Sequence, residues 1–168
     1  PCLPRAEWLR RLDEVDGDPN GIWRRTSRAG IYITINPMKS GGSKDADVTA
    51  FRHVLVEFDE LSIAGQWNLY ERSNIPCTAI IHSGGKSVHA WVRVDAANRD
   101  EYDERVAIIY EHFSAYGLDV KNKNPSRLSR LPNCIRFDSR QELLAIGVGA
   151  KSYTEWAAKI AAEGIVKR

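Results

Sequence analysis

A chain of 168 residues with 43% hydrophobic and 27% charged residues is long enough for one domain with a full core, and its composition is that of ordinary globular proteins. No apolar run approaches the roughly 20 residues that cross a bilayer, and no apolar stretch follows Pro1-Cys2-Leu3-Pro4-Arg5, so neither a membrane span nor a secretory leader is expected. The net charge of +2 is too small to name a partner by itself.

Trp8, Leu9, Leu12 and Val15 predict a short amphipathic helix, ended by a loop over 16–21 that carries Gly17, Pro19 and Gly21. The alternating β-rich run 30–36 predicts a strand. A polar loop over 37–47 with Gly41-Gly42 leads to a second strand over 51–59, which ends in acids. Ile63, Trp67 and Tyr70 at helical spacing predict a helix over 61–73. Strands over 78–83 and 87–94 flank the tight Gly84-Gly85-Lys86 turn of a hairpin. The longest helix is expected over 99–116, with Tyr102, Val106, Ile109, Tyr110 and Phe113 as its buried stripe and Gly117 beyond its end. A polar, basic loop then leads to strands near 135–137 and 143–147, and Thr154 is expected to cap a last helix through 162. This order predicts an α+β fold, an antiparallel sheet with helices on one face.

Cys2, Cys77 and Cys134 are odd in number and widely spaced, which suggests neither a zinc knuckle nor a disulfide framework; reduced thiols of a cytoplasmic protein are expected. Between Asp119 and Arg140 lie Lys121, Lys123, Arg127, Arg130, Arg136 and Arg140. Such a stretch could meet a polyanion, or simply be a solvated surface.

Three segments carry residue types suited to chemistry. In Val56-Glu57-Phe58-Asp59-Glu60, positions two apart on a strand share a face, so Glu57 and Asp59 project together while Val56 and Phe58 point to the core. Neighbouring carboxylates repel unless a cation lies between them, and Mg²⁺ favours such hard oxygen ligands; read alone, the pair is also a solvated strand end. In Ser83-Gly84-Gly85-Lys86-Ser87-Val88-His89-Ala90-Trp91, the glycines let backbone N–H groups approach an anion, Ser83, Lys86 and Ser87 add donors, and His89 shares the face of Ser87. The spacing is not that of a Walker loop, and an ordinary hairpin turn beside a core histidine fits it too. In the run 124–133, NPSRLSRLPN, Arg127 and Arg130 would share one face of a helical turn, with bidentate phosphate recognition or plain surface placement as alternatives. Asp119, just before this run, is a third acid.

Together, VEFDE at 56–60, SGGKSVHAW at 83–91 and NPSRLSRLPN at 124–133 resemble the archaeo-eukaryotic primase superfamily, and within it the primase-polymerases of phages, plasmids and integrated elements, often fused to a helicase. The resemblance spans 30–137. It implies an RRM-like catalytic sheet beside a small α/β lobe, an acid pair and a third acid holding two Mg²⁺ or Mn²⁺ ions, and a histidine that contacts the incoming triphosphate. Glu57 and Asp59 match the acid pair, His89 the histidine and Asp119 the third acid, with Asp138 as a competitor. Many members carry Asp where this chain has Glu57.

The resemblance implies a template-directed nucleotidyltransferase, a DNA primase or polymerase that adds dNTP or NTP to a primer 3′-hydroxyl. Its catalytic residues are Glu57, Asp59, Asp119 and His89, and its nucleotide is held by Ser83, Lys86, Ser87, His89, Arg127 and Arg130. Single-stranded DNA template, primer and a fused or associated helicase are the partners implied, and residues 1–168 are expected to be one catalytic domain taken from a longer primase-helicase protein. The expected domain extends a primer better than it starts one. The alternative is an RRM-like single-stranded nucleic-acid-binding module, which would display aromatics, not acids, on its central strands. Metal-dependent phosphodiester hydrolysis could use the same acids.

Overall fold

The computed structural model describes residues 3–22 and 28–164. Four strands form its main sheet: β2 (Phe51–Val56), β3 (Cys77–His82), β4 (Val88–Ala96) and β8 (Glu142–Val148). Their order is β2-β4-β3-β8, and each pair is antiparallel. Alternation decides the two faces. Val54, Val56 and Phe58, with Val88, Ala90, Val92 and Val94, lie in one buried cluster. His53, Leu55, Glu57, His89 and Trp91 occupy the opposite parity and therefore the other face.

Helices cover the apolar face. From α3 (Arg99–His112) come Tyr102, Val106, Ile109 and Tyr110; from α2 (Ile63–Ser73) comes Tyr70; and from α4 (Tyr153–Ala162) come Tyr153, Trp156 and Ile160. The α+β class and the helices on one sheet face agree with the sequence reading. Each of these three helices starts at a polar cap: Ser62 accepts from Gly65 N–H, Asn98 from Glu101 N–H and Ser152 from Glu155 N–H. The last cap corrects the expectation of Thr154, which lies inside α4. The Glu155 carboxylate reaches back past the cap and accepts from Lys151 N–H at 3.1 Å. The first helix, α1 (Arg5–Asp13), buries none of its residues.

Two small ribbons stand beside the sheet where a small α/β lobe was expected. One pairs β1 (Tyr32–Thr34) with β5 (Leu128–Arg130); the other pairs β6 (Ile135–Arg136) with β7 (Ser139–Arg140). The β5 strand corrects the expectation of a helical turn carrying Arg127 and Arg130. Extended backbone satisfies its amides against β1, almost a hundred residues away in sequence. The predicted helix over 99–116 also ends earlier, at His112, and Ser114–Tyr116 continue as a single 3₁₀ turn. Gly117, at φ 70°, then turns the chain back so that Leu118 bridges to Phe58. Cys77 and Cys134 are buried free thiols, and Cys2 lies outside the described residues. Among the described residues, no helix is long and apolar enough to cross a membrane.

Gly149 locks β8 and α4 against the end of α2. Its φ is +81°, and a Cβ there would sit 2.1 Å from the Ile75 carbonyl oxygen. Gly149→Ala is therefore expected to lower stability by roughly 2–4 kcal/mol, read from the urea midpoint, because neither the left-handed backbone nor a main-chain carbonyl yields easily. A midpoint equal to the parent's would show that this junction is plastic.

Candidate active site

The polar face of the main sheet, the 83–87 turn and the β1–β5 ribbon border a cavity of about 950 Å³. All nine residues singled out in the sequence line it: Glu57, Asp59, Ser83, Lys86, Ser87, His89, Asp119, Arg127 and Arg130. Asp138 does not. It sits exposed in the turn between β6 and β7, so of the two competing acids only Asp119 reaches the cavity.

Asp119 is carried there by main-chain pairing. After the Phe58–Leu118 bridge, the Asp119 N–H donates to the Glu57 carbonyl at 3.0 Å. The Asp119 carboxylate caps the short turn Val120–Asn122, accepting from Lys121 N–H at 3.0 Å. The buried Asn122 amide then spans two acids, donating to Asp119 Oδ2 at 3.0 Å and to Glu57 Oε2 at 3.3 Å. Sequence reading did not single out Asn122. Its place three residues after a helix-capping acid is the signal that could have found it.

Glu57 is the most constrained of the acids, its side chain only 17% exposed. His89 Nε2 lies 3.4 Å from Glu57 Oε1. Burial pushes the carboxyl pKa up, but hydrogen bonding and attraction from His89, with hydrogen bonds from Ser87 and Asn122, outweigh it and bring the value down to about 2. Asp59, in the bend beyond β2, is exposed and lines the same cavity.

His89 has a second partner. Its Nδ1 is 3.1 Å from the Ser129 hydroxyl, which also accepts from the Trp91 indole N–H at 2.7 Å. A serine hydroxyl can donate to a neutral imidazole or accept from a charged one, so this contact suits either state while Nε2–H faces Glu57. Ser129 is fully buried and joins the ribbon to the sheet. It was not singled out either, because a lone serine between leucine and arginine carries no periodic signal.

The turn is shaped by arginine. Gly84 has φ 69°, and a Cβ on Gly85 would come within 2.6 Å of Arg136 Nη1. Arg136 Nη1 donates to the Ser83 carbonyl at 3.1 Å, while its buried Nε has no hydrogen-bond partner among the described residues. The Ser83 and Ser87 hydroxyls are hydrogen-bonded to each other at 3.2 Å, and Lys86 is exposed at the tip. Arg130 is 7% exposed; its guanidinium donates to the Ala29 carbonyl and lies 3.9 Å over the Tyr32 ring. Gly42 and Ser43 of the polar loop border the cavity, and Asp45 anchors that loop by accepting from Ser126.

A divalent cation is consistent with this donor set. Among the described residues, no three His, Cys, Asp or Glu side chains form a ready-made cage. However, Mg²⁺ commonly takes one or two carboxylates and completes its shell with substrate phosphates and water. Glu57, Asp59 and Asp119 offer hard oxygens to the same cavity, and the Asn122 amide donates to two of them, Glu57 and Asp119.

No protein-family model matches the sequence, and no curated protein matches it. Among solved structures, the fold is similar to the AEP domain of the primase-polymerase (PrimPol) of cyanophage S-2L. The two share 25% sequence identity and a TM-score of 0.57, with 76% of this chain and 68% of that chain covered.

The Glu57 environment has a pH consequence. A carboxyl held near 2 when folded and near 4.5 otherwise contributes stability that is present above pH 4.5 and lost as pH falls toward 2. In urea titrations across that window, the stability gap between the parent and Glu57→Gln is expected to shrink with acidification. A gap that stays constant would contradict the ionised, His89-paired state.

Proposed function

We propose that this chain is a template-directed nucleotidyltransferase of primase-polymerase type, adding nucleotides to a primer 3′-hydroxyl. The observation that carries the reading is the convergence of three acids, the Ser83–Ser87 turn, His89 and four cations on one cavity. The likeness to a primase-polymerase domain supports it. Glu57, Asp59 and Asp119 would hold Mg²⁺ or Mn²⁺, which in such sites neutralises charge on the attacking and leaving oxygens of an in-line displacement.

The chain's own groups then divide the work. Ser83, Lys86 and Ser87 receive the triphosphate at the turn, where Gly84 and Gly85 admit close backbone approach. Arg127 and Arg136 add donors suited to phosphate oxygens, and Arg130 adds a fixed positive charge. His89 Nε2–H orients Glu57 beside the phosphate turn, and it would donate to a phosphate oxygen only on giving up that contact, because its Nδ1 is held by Ser129. The template backbone would lie on the basic surface around 121–140, giving sequence tolerance. The full chemistry implies single-stranded DNA and nucleotide as substrates, and a helicase on the same polypeptide or in complex would supply the template strand.

A passive nucleic-acid-binding module fits less well. The central strand β4 offers the open face a buried His89 and a Trp91 whose N–H is already committed to Ser129.

The test is incorporation of labelled dNTP on a primed single-stranded template with Mn²⁺. The parent is expected to lengthen the primer. Asp59→Ala, an exposed position, should fold normally and lose at least about a hundredfold in rate, the scale on which charge-stabilising groups act. Shortened primers would point to hydrolysis, and undiminished extension by folded Asp59→Ala would remove the acids from the reaction.

A further inference from the structure

A nucleotide has an anionic end and a flat, weakly polar end, and the cavity is divided in the same way. Hydroxyls and cations gather at the 83–87 turn. On the β1–β5 ribbon, the pairing Tyr32↔Arg130 and Thr34↔Leu128 sets these four side chains on one face, and all four line the cavity. Ile33 and Ser129 take the other face, and Ser129 fastens the ribbon to the main sheet through His89 and Trp91. Tyr32 and Leu128 nevertheless remain 46% and 49% exposed. They are large apolar surfaces left open on the wall of a polar cavity.

The Tyr32 ring is also backed. The Arg130 guanidinium lies 3.9 Å from the ring centroid, is itself 7% exposed, and is pinned to the Ala29 carbonyl. A cation held against one face of a phenol ring fixes the plane of that ring. One face is therefore occupied, and the other is presented as a rigid platform at the cavity wall. A flat π-system is the partner such a platform stacks best, and every base offers one whatever its hydrogen-bonding edge.

We propose that Tyr32, stiffened from behind by Arg130 and flanked by Leu128, is the stacking seat for the base of the bound nucleotide. This rests on the nucleotide reading of the same cavity. It assigns Tyr32 a contact with the base and Arg130 a positioning role behind it. It also predicts little selection among bases at this seat, with purines favoured over pyrimidines by their larger area.

Calorimetric titration in Mn²⁺ separates the seat from the rest of the site. The probes are dATP, dCTP and 2-deoxyribose 5-triphosphate, which carries sugar and phosphates without a base. The parent is expected to bind dATP more tightly than dCTP, and both more tightly than the baseless compound. Tyr32→Leu should weaken dATP roughly tenfold and leave the baseless compound unchanged, whereas Tyr32→Phe and Tyr32→Trp should keep dATP affinity. Circular dichroism of each variant confirms the fold, and Phe and Trp test the seat even if Leu disturbs the strand. Equal loss for dATP and the baseless compound, or no loss for either, would overturn the seat while leaving the nucleotide reading intact. A parent that binds none of the three would overturn both.

Discussion

The imidazole of His89 links three parts of the molecule that sequence keeps far apart. Through Nε2 it meets Glu57 at the end of β2, and through Nδ1 it meets Ser129 on β5, while its own strand β4 lies at the centre of the sheet. A buried imidazole with both nitrogens engaged leaves little freedom to either neighbour. The Glu57 carboxylate is held ionised and aimed, and the ribbon bearing Tyr32, Leu128 and Arg130 is held at a set height above the sheet. Losing the ring would disturb the acid and the ribbon together.

The second constraint is the absence of a side chain at Gly84 and Gly85. Arg136 can lie across the turn and hold the Ser83 carbonyl only because nothing projects from Gly85. A turn that would otherwise be a simple reversal thus has a guanidinium fixed against it. Positive charge here is placed by packing, and it faces a wall of acids across the same space. Opposed charges in one cavity suit a substrate that is an anion carried with a cation.

Much of this was readable from residue order, and for definite reasons. The alternation of Val54, Val56 and Phe58 against Leu55 and Glu57 is a property of extended chain and was legible up to Glu57, but the strand expected over 51–59 ends at Val56 and Asp59 lies in the bend beyond it. The Ser83–Ser87 hairpin announced itself through its glycines. What escaped was set by distance in the chain. The pairing of β5 with β1 has no local signature, so a strand was read as a turn and Arg127 and Arg130 were given the wrong backbone. Ser129 and Asn122 act through partners 40 and 65 residues away. Ser152 was different: its spacing to Glu155 lay in plain sequence, and Thr154 offered the same hydroxyl two residues too late.

The central claim is that one cavity gathers carboxylates for metal and cations for a triphosphate. Its most direct measurement is anomalous diffraction from a crystal of this chain soaked with Mn²⁺ and a non-reactive dNTP analogue. The account predicts manganese at Glu57, Asp59 and Asp119 at oxygen distances of about 2.0–2.3 Å, with the triphosphate running toward Ser83, Lys86 and Arg136. Manganese bound away from these acids, or a triphosphate seated elsewhere on the molecule, would contradict it.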